Sequence, residues 1–122
     1  SIVQRLKSSF PDVPVIGFPK GVGPLYERYV KETGVDVVGT DTALPPEWAA
    51  ETLEPLAAVQ GNLDPRLVVA GGPAMMADVD RIEAAFKGRR HIFNLGHGFV
   101  PETPVDHVEA LVRRLKEGPD GR

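Results

Sequence analysis

The stretch with the most chemical potential is Asn94-Leu95-Gly96-His97-Gly98, where one histidine stands between two glycines at the end of the apolar run Arg90–Leu95. Glycines on both sides let a backbone turn tightly and approach a ligand closely. An imidazole with no bulky sequence neighbour can donate a hydrogen bond to an anionic oxygen, more strongly when protonated. Further polar candidates follow other apolar runs: Lys20, then Thr40 and Asp41, then Asn62 and Asp64. Each has a plain structural alternative. Lys20 lies in a Gly/Pro loop and reads equally as a solvated charge; Asp41 and Asp64 stand where helix caps stand; Asn62 follows a glycine and could hold a turn through its amide.

Several chemistries find no support. No two carboxylates have a spacing that points to paired acid/base work, and no serine sits in a Gly-x-Ser-x-Gly pattern. Gly21-Val22-Gly23 lacks the rest of a dinucleotide fingerprint, and His91, His97 and His107 form no close-spaced metal signature. The chain has no cysteine, which removes thiolate metal sites, thiol nucleophiles and redox motifs. The residues alone therefore lead to the expectation of no metal site, with His97 as the side chain that touches a substrate.

Size and charge set further bounds. The 122 residues make at most one domain, residues 1–122 without an internal boundary, and a net charge of −3 gives no reason to expect nucleic acid or an anionic membrane as partner. No apolar run approaches the roughly 18 residues of a membrane span, and no secretory signal is evident, so a cytoplasmic setting is expected. The chain begins Ser1-Ile2-Val3 without methionine, which favours an internal cut from a longer polypeptide.

The elements that must position the candidates are legible from punctuation and period. Ile2, Val3, Leu6 and Phe10 mark one side of a helix that Pro11 ends. Val13–Phe18 reads as a strand covered on both faces, and Leu25–Thr33 as a helix stopped by Gly34. Val35–Gly39 is a second strand. Pro45 and Pro46 open a helix whose buried stripe is Trp48, Ala49, Thr52, Leu53 and Leu56. Ala57–Gly61 is a third strand; Asp64-Pro65 starts a short helix over Arg66–Ala70, and Met75, Val79, Ile82 and Phe86 mark the next helix face. Both methionines read as packing. Arg89 and Arg90 read as solvated charges before the fourth strand, and His91 begins that strand at the end away from any binding mouth. Thr103 looks like an N-cap with Asp106 three residues on, opening a helix with Val105, Val108, Leu111, Val112 and Leu115 on its apolar side and His107 at the surface. Gly118–Arg122 reads as a frayed tail.

Four strands thus alternate with helices, and the glycines near their ends, Gly17, Gly39, Gly61 and Gly96, are spaced 22, 22 and 35 residues apart. This is the βα rhythm of a parallel α/β fold, whose ligands lie beyond the carboxyl ends of the strands. If the strands lie in sequential order, right-handed crossovers put every helix on one side. The other side then shows Val, Ile and Phe to water, and both outer strands are open edges. Closure into eight strands removes both problems, so the chain reads as half of a barrel.

The motifs resemble those of one family. Asn94–Gly98 followed by Pro101-Glu102-Thr103-Pro104 is similar to the C-terminal signature of the uroporphyrinogen decarboxylase family. Gln60-Gly61-Asn62-Leu63-Asp64-Pro65 resembles its next-to-last strand exit, and Val35–Asp41 the strand before, with Thr40 where other members often carry leucine. The resemblance implies a (β/α)8 TIM barrel of which these four βα units form the C-terminal half, strands five to eight. It implies a homodimeric full-length enzyme that removes CO2, without a cofactor, from the four acetate side chains of a tetrapyrrole, uroporphyrinogen III, giving coproporphyrinogen III. It also implies that His97 binds substrate. The family's N-terminal arginines, an early-strand aspartate, a tyrosine and a serine have no counterpart here, so this chain alone is expected to be inactive. Two rivals remain: a non-catalytic half-barrel that binds an anionic ligand or pairs with itself, and a cobalamin-linked methyltransferase, whose zinc-binding cysteine would fall near His97 in a chain that has no cysteine.

Overall fold

Proline and glycine sustain neither a helix interior nor a β-ladder, and their spacing cuts this chain into short alternating pieces. The computed structural model describes residues 1–118, so all but Gly118 of the expected frayed tail lies outside the described residues. The elements are α1 (Ile2–Ser9), β1 (Ile16–Gly17), a 3-10 turn (Gly23–Leu25), α2 (Tyr26–Thr33), β2 (Val37–Gly39), α3 (Pro46–Thr52), β3 (Ala58–Gln60), α4 (Pro65–Ala70), α5 (Gly72–Ala85), β4 (His91–Ile92) and α6 (Val105–Glu117). The strands are all parallel in the order β1-β2-β3-β4, with Ile16 opposite Val37, Val38 opposite Val59 and Gln60 opposite Ile92.

Sequential parallel order decides where the core sits. Side chains alternate across a strand, so Val38 and Val59 point one way and their neighbours the other. Val38 and Val59 are fully buried in a single cluster with Tyr26 and Val30 of α2, Ala49 and Ala50 of α3, Met75, Val79 and Ile82 of α5, and Leu111 of α6. Across the sheet, Ile16, Phe18 and Ile92 remain 51%, 47% and 45% exposed. One dry face and one bare apolar face are what the right-handed crossovers require. Among the described residues, no helix is long and apolar enough to cross a membrane.

Local expectations fare unevenly. Gly34 ends α2 in the left-handed region at φ 70°, Asp64 caps α4 by accepting from Arg66 N–H at 2.9 Å, and the Met75 stripe is buried. The Val13–Phe18 run is not covered on both faces, because Ile16 and Phe18 lie on the side of the sheet without helices; only Ile16–Gly17 pairs, β1 being an edge strand and Pro14 having no N–H to give. The apolar side of α1 is also bare, with Ile2, Leu6 and Phe10 exposed and Val3 alone packed against the core. α3 stops at Thr52, so Leu56 falls off the stripe and is exposed, while Leu53 is fully buried. On α6, Val105 and Val112 face outward, and Thr103 is no cap: its hydroxyl donates to Val100 O at 2.7 Å and Pro104 takes the cap position.

Two sets of residues expected at the surface tie elements together. His107 is half-buried, with Nδ1 2.8 Å from Val68 O, and so joins α6 to α4. Arg89 donates to Ala50 O at 2.6 Å and Arg90 to Glu54 Oε1 at 3.1 Å, fastening the start of β4 to the C-terminal end of α3. Hydrogen bonds from the Arg90 backbone and side chain hold the Glu54 carboxyl below its usual range.

His91 is a packing residue. Its ring stacks on Phe86 at 4.0 Å between centroids and donates from Nε2 to Gly61 O at 2.6 Å. Burial lowers its pKa, outweighing the opposing pull of the Gly61 carbonyl and the Glu83 charge. The unfolded chain therefore takes up a proton near the ordinary pH of about 6.5 that the folded chain refuses, and acidification favours unfolding. Urea titrations are expected to show stability falling as pH drops below about 6.5. His91→Leu should flatten that slope while lowering stability throughout; an unaltered slope would remove His91 as its source.

Candidate functional site

The turn carrying His97 is held in place by pairing that continues past the ends of the strands. Leu63 and Leu95 form a parallel bridge, Leu63 N–H donates to Asn94 O at 3.1 Å, and Gly96 N–H donates to Leu63 O at 2.8 Å. Asn94 turns its own Oδ1 back to accept from Leu95 N–H at 2.8 Å. Gly96 then passes directly over the β2–α3 loop, where a Cβ would lie 2.5 Å from Thr42 Oγ1 and 2.8 Å from Thr42 Cα. Only a residue without a side chain fits there. Gly98 differs: a Cβ on it would meet nothing within 4 Å, and its φ is not positive.

His97 emerges from this turn exposed, on the rim of a cleft of about 280 Å3. The cleft is lined by Phe18 from beyond β1, Gly39 and Thr40 from β2, Gln60 from β3 and the turn from Asn94 to Gly98. All four strand exits contribute. The other two histidines are engaged with backbone carbonyls, whereas the His97 ring makes no hydrogen bond among the described residues. Phe18 and Leu95 offer the cleft an apolar wall, and His97 and the Gln60 carboxamide offer hydrogen bonds. That combination can hold a ligand by apolar contact and by hydrogen bonds.

The remaining polar candidates divide. Thr40 is 1% exposed, and its hydroxyl is committed to Gln60 O at 3.1 Å. Lys20 is exposed and does not line the cleft. Asn62 is buried, its amide donating to Asp41 O at 2.9 Å and to Leu44 O, so it holds the neighbouring loop. Asp41 accepts from Gly21 N–H at 2.8 Å, Tyr26 O–H at 3.0 Å and Ala43 N–H at 3.1 Å. Asp64 is the α4 cap and lines a different groove, shared with Thr42, Pro46, Asp78 and Arg81. The expected single polar ring is thus not one opening: of its members, Thr40, Asn94 and His97 reach the cleft. Loops whose polar atoms satisfy one another have few left to offer a ligand.

Phe18 and Gln60 were not anticipated. A signal for Gln60 existed, since it is an amide on the bare side of an otherwise apolar strand, one residue from the fully buried Val59. Tyr26 was also missed. It is fully buried, and burial first of all pushes its phenol up to about 12, so it remains an O–H donor at neutral pH. Among the described residues, no group of three or more His, Cys, Asp or Glu side chains could hold a metal ion.

The two glycines of the turn should behave differently on substitution. Gly96→Ala must displace the Thr42 loop and is expected to lower stability by about 1–3 kcal/mol, the usual range for forced overpacking. Gly98→Ala should stay within about 0.5 kcal/mol. Equal urea midpoints for the two variants would show that the Gly96–Thr42 approach is not a constraint.

Comparison with known proteins shows which family the chain resembles. The chain is 57% identical over 117 residues to the uroporphyrinogen decarboxylase of Sphingopyxis alaskensis, an alignment covering 96% of the chain and 34% of that protein. Against the uroporphyrinogen decarboxylase of Rhodospirillum rubrum it is 53% identical, covering 91% of the chain and 32% of the relative. The corresponding figures for the Maricaulis maris uroporphyrinogen decarboxylase are 47%, 95% and 34%. The chain therefore spans about a third of the length of these curated relatives. The family profile described as uroporphyrinogen decarboxylase (URO-D) matches residues 1–118, nearly the whole chain, and the chain belongs to the uroporphyrinogen decarboxylase family.

Proposed function

We propose that this chain forms the C-terminal four βα units of a (β/α)8 uroporphyrinogen decarboxylase and contributes substrate binding to its active site. The observation that carries the reading is the exposed, unengaged His97 ring on a cleft built from all four strand exits. Two others support it. The bare sheet face with Ile16, Phe18 and Ile92 is what four further strands would cover, and both edge strands are free to pair. The lengths of the relatives leave room for those strands elsewhere in a longer polypeptide.

In this reading the substrate is uroporphyrinogen III, a tetrapyrrole with four acetate and four propionate side chains. The parent enzyme removes each acetate carboxyl as CO2 and leaves a methyl group, giving coproporphyrinogen III. Each round breaks one C–C bond: a proton adds to a pyrrole ring carbon, and CO2 departs and leaves its bonding electrons in an exocyclic C=CH2. A second proton adds to that methylene carbon to make CH3, and the ring carbon gives up its added proton. His97 donates a hydrogen bond to a substrate carboxylate, and the Gln60 carboxamide donates a second. Phe18 lies against the macrocycle. The proton donor, and the group that stabilises positive charge on the protonated ring, come from the other half of the barrel. The full-length enzyme is a homodimer, and the cysteine-free composition suits a reducing, cytoplasmic setting.

In the barrel enzyme carrying this chain, His97→Ala is expected to raise KM for uroporphyrinogen III by about 10–100-fold, the range for losing a hydrogen bond to a charged group. The fold should be unchanged by circular dichroism. An unaltered KM would take His97 out of the site. Given uroporphyrinogen III anaerobically, the 122-residue chain alone should form no coproporphyrinogen III. Sustained formation would overturn the half-barrel reading.

A further inference from the structure

Asp41 is not the cap of α3, a place Pro45 takes, and it makes more hydrogen bonds than a local turn requires. One carboxylate oxygen accepts from Ala43 N–H at 3.1 Å, which closes the local turn. The other accepts from Gly21 N–H at 2.8 Å and Tyr26 O–H at 3.0 Å. The Asp41 N–H donates to the Tyr26 hydroxyl oxygen at 3.1 Å, and its carbonyl accepts from Asn62 at 2.9 Å. One residue at the exit of β2 thus gathers the β1–α2 loop, the first turn of α2 and the β3–α4 connection.

The β1–α2 loop has little else to hold it. Among the described residues, residues 19–22 make two hydrogen bonds: Val22 O accepts from Leu25 N–H at 3.1 Å in the adjoining 3-10 turn, and Gly21 N–H alone reaches a distant part of the chain, Asp41. Lys20 beside it is exposed, and a Cβ on Gly21 would meet nothing within 4 Å. Yet the loop begins at Phe18, which lines the His97 cleft and lies so close over Gly39 that a Cβ there would be 3.0 Å from the Phe18 ring. Where this loop sits decides where one wall of the cleft stands. Tyr26 is fully buried at the foot of the loop, so its hydroxyl cannot exchange Asp41 for water without opening the core.

We propose that Asp41 and Tyr26 are a positioning pair: they lock the β1–α2 loop to the exit of β2 and so preset the Phe18 wall of the His97 cleft for substrate. This rests on the substrate-binding reading of that cleft. Neither residue touches substrate. Their contribution is preorganisation, which lowers the cost of ordering the loop on binding.

Tyr26→Phe tests the pair cleanly, because it keeps the buried ring and removes only the hydroxyl. In the barrel enzyme carrying this chain, the Gly21 amide should exchange its hydrogen about tenfold faster, and trypsin should cut after Lys20 faster by a similar factor, as expected for loosening a hydrogen-bonded loop. KM for uroporphyrinogen III should rise about three- to tenfold with a much smaller change in kcat. Val30→Ala, which weakens α2 inside the core without touching the network, should leave KM at its original value. Unchanged Gly21 exchange in Tyr26→Phe would show that the pair does not hold the loop. An unchanged KM despite faster exchange, or an equal rise in KM for Val30→Ala, would show that the loop does not set the site. The two readings fail separately. If His97→Ala leaves KM unaltered while Tyr26→Phe raises it, the assignment of His97 falls and the positioning pair stands; the reverse result overturns the pair alone.

Discussion

Parallel pairing in chain order is the constraint on which the rest of this structure depends. Each strand must be left at its carboxyl end and the next entered at its amino end, and the right-handed return carries every intervening helix over the same face. Val38 and Val59 are fully buried beneath those helices, while Ile16, Phe18 and Ile92 on the opposite side are not. The same constraint brings all four strand exits to one end of the sheet. The candidate cleft lies where that end meets the bare face, so its position is a consequence of topology before any polar side chain is considered.

What gives the cleft a defined shape is a set of close approaches among the exits. Gly96 lies against Thr42, and the Asn62 amide bonds to the carbonyls of Asp41 and Leu44. Asp41 in turn holds Gly21 and Tyr26. These contacts use up most of the polar atoms that would otherwise face a ligand, because buried donors and acceptors are costly to leave unmatched. His97 escapes this pairing. A histidine whose ring makes no hydrogen bond among the described residues is a different object from His91, stacked on Phe86 and bonded to Gly61, or His107, bonded to Val68. Their fates differ by packing, although all three are solitary histidines in the sequence.

The elements themselves were legible wherever the signal was local. Gly34 after α2, the Asp64-Pro65 start, and the stripe Met75, Val79, Ile82 all follow from capping preference and helical period. The failures share a cause. Ile2, Leu6, Val105 and Val112 have the right spacing for a buried side but no neighbour to bury it, and Val13–Phe18 looks like a central strand although it lies at the edge. Periodicity says which residues share a face and is silent on whether anything covers that face.

The sequence by itself determined the βα rhythm, the caps at Gly34 and Asp64 and the bare histidine turn, along with the resemblance to a decarboxylase family, since these depend on residues a few positions apart. Only the tertiary structure decided which polar tips meet. Gly21, Tyr26 and Asn62 reach Asp41 from sequence separations of 20, 15 and 21 residues, one crossover away in either direction. Gln60 joins His97 because β3 and β4 are adjacent and in register. No local pattern encodes such meetings: they arise when the crossovers set the strand exits side by side and each loop finds partners for its polar atoms there.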